Sequence, residues 1–374
     1  MDFALEPEQI ALRDAVRRFC DAEYPAAERG NAESPEQAAR RHAAWAEMGL
    51  LGLPFAAEHG GSAMGAVEAM LVARELGRVL ANGNWLSNAC LAGPLIAELG
   101  SAEQKAQWLP PLVAGDLQAA LALQEEPARH DTADISTAAQ RRDGDWVLCG
   151  RKSIVFGGDA AALVIVAART SGARRAQEGI TLFAVDAAAL RVQPLRMLDG
   201  RRGANIELPD IRIGDDRRLG EIGAAWPAIE RAVARANAAL CAEAAGALDA
   251  LLALTAEHLK TRRQFGSPLA RFQALQHGLA DMALALEQID SMACAAALAL
   301  DAKVPVDRER LVSAAKALVG PLARRSAFAA IQMHGAMGMT DECRASHYAR
   351  RLLAIGCAFG DADHHLQRFA ALAP

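Results

Sequence analysis

TRRQFGSPLARFQALQHGLADM, residues 261–282, interrupts a zone of long alanine-rich segments. Residues 226–260 lie before its Phe-Gly turn and residues 273–302 run out of it. Both carry apolar residues on every side rather than along one stripe, and residues 308–334 have the same character. A helix that is apolar all round is buried among others. Long helices of this kind, joined by short turns, pack as a bundle. The stretch from about 224 to 374 therefore reads as a helical bundle with an Arg-Arg-Gln-Phe-Gly turn at one end.

Working outward, the chain changes period near residue 121. DGDWVLCGRKSIVFGG (143–158) reads as two strands around a Gly turn. ALVIVAAR, GITLFAVD, LRVQPLR and ANIELPDIRI continue the pattern of short strands between turn residues, which predicts a compact β domain. Residues 170–179 and 214–220 are loops. Before residue 121 the helical signal returns. Pro7 opens a helix carrying Ile10, Leu12, Val16 and Phe19, and a helix is expected from Ala66 to Val79. Ser101 with Gln104 three residues on is a capping-box pattern for a helix over Ala102–Leu112. The segment GLLGLPFAAEHGGSAMG is a Gly-rich connection. The expected class is α+β, mainly α: a helical domain over 1–120, a β-barrel-like domain over 121–220, and a four-helix bundle over 221–374.

Composition narrows the function. A formal net charge of −5 argues against a nucleic-acid or anionic-membrane binder, which needs a basic face. The Arg174-Arg175 and Arg201-Arg202 pairs read as solvated surface. Seven cysteines form no CxxC pair, so neither a zinc site nor a disulfide framework is expected and a reducing cytoplasm fits. The N-terminal run is charged and amphipathic, without the apolar core of a signal peptide. No stretch approaches about 18 uncharged apolar residues, so no membrane span is expected.

Residues 261–282 and a second segment, AIQMHGAMGMTDE (330–342), taken with the helix–β–helix order, resemble the acyl-CoA dehydrogenase family along the whole chain. Arg262, Phe265, Gly266, Pro268, Phe272 and Gln273 stand where that family's pattern has them. LKTRRQFG (259–266) and AFGDADHHL (358–366) are similar to runs in small subunits of pimeloyl-CoA dehydrogenases. The resemblance implies FAD as cofactor, bound between subunits. It implies an acyl-CoA substrate, in fatty or dicarboxylic acid degradation, and an electron-transfer flavoprotein as acceptor. It assigns Arg262 to the FAD pyrophosphate, where a guanidinium offers paired donors. Phe265 belongs to the same motif, Gln273 and Gln332 would bond the ADP portion, and Gly335 and Ala336 lie where the chain passes it.

Departures from the pattern are as informative. The family's Thr-Glu-Pro and Gly-Ser-Asp runs become QEEPARHD (124–131): Glu126-Pro127 survives, the small hydroxyl residues do not. A Trp-Ile-Thr or Trp-Ile-Ser run that packs on the flavin becomes KSIVFGG (152–158), with Ile154 and Phe156 in those places. A phenylalanine cannot donate the hydroxyl hydrogen bond. The carboxylate base falls on Phe359 when counted without gaps, and on Asp361 when aligned on the following LQR. The family's other base position falls near Ala236, flanked by Glu230 and Glu243. Asp361 is thus the candidate catalytic residue, with a helix N-cap as its alternative reading. Arg231 and Arg235 share a helix face, and Arg235 is the candidate for substrate binding, toward a CoA phosphate. The Asp361, Asp363, His364, His365 cluster is read as caps and surface polars, with no metal.

Three functions follow. The chain is one half of a heteromer with a larger homologous subunit that carries the base. Alternatively it is a self-sufficient homo-oligomer, a tetramer of itself with Asp361 as base, or a catalytically dead acyl-CoA or FAD-binding scaffold.

Overall fold

The computed structural model describes residues 4–30, 33–302 and 308–372. The first third is helical. α1 (Pro7–Glu23) starts on a proline, whose missing N–H is no loss in a first turn, and the Gln9 side chain accepts from Glu6 N at 3.0 Å. α2 (Pro35–Glu47) is capped by Ser34, which accepts from Gln37 N at 3.2 Å. α3 (Ala66–Arg78) is capped from far away: the Asp301 carboxylate takes Ala66 N at 2.7 Å and Val67 N at 2.9 Å. A π-type helical segment (Leu86–Ala92) runs into α4 (Gly93–Leu99), and α5 (Ala102–Ala114) begins on the Ser101–Gln104 box. The sequence pattern had marked α1, α3 and α5. It passed over α2 and the 86–99 helix.

The central sheet holds β1 (Ala119–Ala122), β2 (Ala138–Arg142), β3 (Asp145–Phe156), β4 (Leu163–Arg169), β5 (Ile180–Asp186), β6 (Arg191–Arg196), β7 (Arg202–Ile213) and β8 (Arg218–Leu219). Its order is β6-β7-β3-β2-β4-β5-β8, with β1 paired to β4. All pairs are antiparallel except β1 with β4 and β2 with β4. The expectation of two strands over 143–158 is corrected here. The turn precedes the strand, at Asp143 and Gly144 (φ 53° and 91°), and β3 is a single strand bulged near Gly150 and Ile154. The glycine mistaken for a turn is a bulge.

The last third contains α6 (Trp226–Thr261), a short hairpin of β9 (Arg263–Gln264) and β10 (Ser267–Pro268), α7 (Gln273–Asp301), α8 (Arg308–His334), α9 (Arg344–Cys357) and α10 (Ala362–Ala371). α6 packs against α3, α7, α8 and α9 and is the axis of the bundle. α6 and α7 are long and apolar enough to cross a membrane by length and composition when up to two charged residues are tolerated, although neither holds 18 uncharged residues in a row. In α6 most of that apolar surface is buried; in α7 less than half is.

A buried ionic network joins the layers. Arg351 on α9 contacts Asp199 at 2.9 Å, in the loop between β6 and β7, and Glu243 on α6 at 2.6 Å. Arg201 completes it, 2.6 Å from Asp199. The expectation that Arg201-Arg202 is solvated surface therefore fails for Arg201, which is buried. Its charge is tolerated because a carboxylate faces it.

Candidate functional site

The hairpin after α6 turns through Phe265 and Gly266, with φ of 51° and 78°. Gln264 pairs with Ser267, so the loop has two residues, both left-handed, as a type I′ turn requires. Gly266 adopts this freely; Phe265 does so at a cost and is 89% exposed. Arg262 caps the C-terminus of α6, its N–H donating to His258 O at 2.9 Å, and its side chain lies in solvent. Gln273, Gln332, Gly335 and Ala336 are likewise exposed. Among the described residues the side chains of Arg262, Gln273 and Gln332 make no hydrogen bond or ion pair.

These segments share one end of the bundle. His258 on α6 stacks on His334 at the end of α8, with ring centroids 4.3 Å apart. That stack draws the ends of α6 and α8 together, so Arg262 and the 332–336 turn share that end. Burial and the neighbouring Arg262 charge hold the His258 pKa below the usual imidazole range. His334 is pushed down to about 4 by burial and by His258. A neutral pair can stack; a doubly charged one would repel. The face thus presents the Arg262 guanidinium and the Gln273 and Gln332 amides, a donor set suited to phosphate and adenosine. It fits the ADP half of FAD.

The other half of a flavin site is built differently. Phe156, at the end of β3, and Phe359, in the loop before α10, stack with centroids 5.1 Å apart and an interplanar angle of 28°. These are the positions that the sequence comparison set against the flavin ring and the carboxylate base. Here the side chains touch, and nothing fits between them. Phe359 is held at φ 50° by its surroundings: its carbonyl accepts from Asn237 Nδ2 at 3.4 Å, His365 Nε2 lies 3.1 Å from it, and Lys316 Nζ donates to Ala358 O at 2.9 Å. The Arg201 guanidinium lies 5.5 Å from the Phe156 ring. The cavity left beside Phe359, lined by Gln124, His130 and Val233, is only about 10 Å³, the size of one water.

Glu125, just before the retained Glu126-Pro127, turns inward. Its carboxylate accepts from Ser136 N and Thr137 N, both at 2.9 Å, and pairs with Lys152 Nζ at 2.8 Å. Burial raises its pKa, but Lys152 and these donors outweigh it and hold Glu125 at about 2. A carboxylate so committed is architecture. The residues around Phe156 thus do not fit an isoalloxazine ring.

Asp361 stands at the N-cap of α10, accepting from His364 N at 2.9 Å, with His130 Nε2 at 3.5 Å. The capping bond holds its pKa below the ordinary carboxylate value, the wrong direction for a general base. Glu230 accepts from Thr132 and pairs with Arg368; Glu243 belongs to the Arg351 network. Arg231 pairs with Glu98. Arg235 is the one left over. It lines a cavity of about 630 Å³ between α6, α3 and the 86–99 helix, and has no partner among the described residues. No group of three or more His, Cys, Asp or Glu is placed to hold a metal ion among the described residues.

Sequence reasoning missed the Phe156–Phe359 contact, the His258–His334 stack and the Glu125–Lys152 pair. None of the three left a local sequence trace: Lys152 itself sits between Arg151 and Ser153.

Comparison with known proteins agrees along the whole length. Family models match as the N-terminal domain (6–116), the middle domain (120–211) and the C-terminal domain (223–372) of acyl-CoA dehydrogenase. The chain is 30% identical over 349 residues to the short-chain specific acyl-CoA dehydrogenase of Bos taurus mitochondria, covering 91% of this chain and 83% of that one. It is 29% identical over 368 residues to a "Probable acyl-CoA dehydrogenase" of Bacillus subtilis, covering 95% and 96%. The crystal structure of an acyl-CoA dehydrogenase from Geobacillus kaustophilus superposes with a TM-score of 0.89 at 26% identity, over 98% of both chains. With three successive domain models and full-length relatives in agreement, this chain belongs to the acyl-CoA dehydrogenase family of FAD-dependent oxidoreductases.

Proposed function

We propose that this chain is the less catalytic half of a heteromeric acyl-CoA dehydrogenase. It clamps the ADP portion of a neighbour's FAD, while a larger homologous subunit carries the ring-facing residues and the base. The observation that carries this reading is the Phe156–Phe359 stack. Two aromatic rings in contact stand at the positions that the family resemblance gives to the flavin-facing residue and the base. Supporting it, the clamp residues Arg262, Gln273 and Gln332 are exposed and have no side-chain partner among the described residues, and α7 leaves most of its apolar window uncovered. The resemblance to pimeloyl-CoA dehydrogenase small subunits belongs to the same reading, as do the domain boundaries near 120 and 220 and an electron-transfer flavoprotein as acceptor.

In a complete site FAD would supply the hydride acceptor for the acyl β-carbon, and a carboxylate would be needed to take the α-proton. This chain's residues would hold and orient the cofactor from outside that centre. The alternative, a homo-oligomer with Asp361 as base, is separated by one variant. Asn caps helices as well as Asp, so Asp361→Asn removes the charge and keeps the cap. Turnover of a panel of acyl-CoA esters with an artificial acceptor is measured for the chain alone and with its partner. A lone chain that turns over briskly and is silenced by Asp361→Asn overturns the heteromer reading. Activity that needs the partner and survives Asp361→Asn is the expected result.

A further inference from the structure

Phe359 is held in a conformation that a phenylalanine does not choose. Its backbone is left-handed, at φ 50°, and Gly360 after it stands at φ 117°. The glycine adopts its value freely; the phenylalanine is strained. Three helices fix this stretch, each through the main chain. Asn237 on α6 and His365 on α10 meet the Phe359 carbonyl, and Lys316 on α8 donates to Ile355 O at 2.7 Å and to Ala358 O at 2.9 Å. His365 also lies so close to Gly360 that a Cβ there would stand 2.5 Å from its Nε2. On the facing side, Ser87 Oγ donates to Phe156 O at 2.8 Å and fixes the end of β3. The two cavities that adjoin the Phe359 ring hold about 10 and 20 Å³, room for about one water each, so the ring cannot turn aside into either.

We propose that Phe359 is a built-in plug: its ring stacks on the face of Phe156 that would otherwise take a planar heteroaromatic ring, and such a ring enters this chain only when the plug is removed. The inference rests on the heteromer reading and deepens it, since it makes the closure the act of one side chain rather than the general loss of a pocket. Strain of this kind persists only where the surroundings over-determine it. Here four hydrogen-bonding contacts from three helices do so, and their joint effect is to aim one ring at another. Rings stacked 5.1 Å apart between centroids, at 28°, leave no slot for a third. Without Phe359, Phe156 presents a flat apolar surface at the end of a fixed strand. Losing the hydroxyl at position 156 would weaken a ring site there; the plug excludes the ring altogether.

The test titrates the full-length chain with two probes. Lumiflavin, a flavin ring without phosphates, is followed by quenching of its fluorescence; ADP, which has the phosphates and no flavin ring, is followed by calorimetry. The parent chain is expected to leave lumiflavin unquenched. Phe359→Gly suits the left-handed backbone and removes the ring, and is expected to bind lumiflavin at least about tenfold more tightly than the parent. Phe359→Asn also accepts that backbone and serves if the glycine variant does not fold. Phe359→Tyr keeps a ring in place and should stay closed, which a merely loosened loop would not. ADP reads the clamp alone and should bind parent and Phe359→Gly alike. A variant that gains lumiflavin while no chain binds ADP upholds the plug and removes the clamp reading. Lumiflavin bound by the parent as tightly as by Phe359→Gly, no gain in the folded small variants, or an equal gain in Phe359→Tyr overturns the proposal.

Discussion

Arg262 and Arg263 are adjacent and both exposed, and Arg262 is the C-cap residue of α6. A guanidinium–phosphate contact contributes about 1.5–3 kcal/mol. Arg262→Ala is therefore expected to weaken flavin retention at least about tenfold, measured as bound FAD after gel filtration of the assembled protein. Arg263→Ala should change it far less; equal effects would remove the assignment. Glu125 is a different kind of residue, serving stability. Its folded pKa of about 2 lies below the ordinary 4.5 because Lys152 and the Ser136 and Thr137 donors outweigh burial. A depressed carboxylate stabilises the fold fully above about pH 4.5, and that contribution is lost as pH falls toward about 2. Glu125→Gln should thus cost about 3–5 kcal/mol at neutral pH by stranding the Lys152 ammonium, and should flatten the acid limb of a urea-midpoint-versus-pH curve. At this scale the sequence named Arg262 through its motif but gave Glu125 no weight. Nothing local says that a glutamate will turn inward onto a lysine 27 positions along the chain.

α3 and α6 are neighbours because two glycines let their backbones meet. A Cβ on Gly77 would stand 2.1 Å from Glu243 O, and one on Gly246 would stand 1.8 Å from Arg74 O. Gly246→Ala should therefore destabilise by about 1–3 kcal/mol or more, read as a fall in thermal midpoint. Gly320→Ala on α8 is the control: its nearest neighbour is 3.7 Å away, and alanine there should be tolerated or slightly stabilising. Period and caps made α6, α7 and α8 legible in the sequence, since apolar residues on all sides over some thirty positions admit little besides a buried helix. The 86–99 helix escaped because its π geometry and its Gly93-Pro94 break blur the 3.6-residue period. β3 was misdivided because a bulge and a turn use the same residue.

For the molecule as a whole, the exposed Phe265 and the uncovered flank of α7 are surfaces that a second subunit would bury. Phe265→Asn separates assembly from folding, since Asn accepts the left-handed turn better than Phe. The variant chain should unfold no earlier than the parent, yet sediment as a smaller species and lose flavin. An unchanged sedimentation coefficient would show that Phe265 is not in the interface. Composition, period and two motifs sufficed for the helix–β–helix order and the family, because each is written in neighbouring positions. Whether the centre is open was not written there. Phe156 and Phe359 lie some two hundred residues apart, on a strand end and on a loop. Their contact depends on how α6, α8 and the β domain seat that loop through Asn237, Lys316 and Arg201. The same holds for Arg235, whose solitude is a property of the charges around it having found other partners, a matter of packing that only the tertiary structure decides.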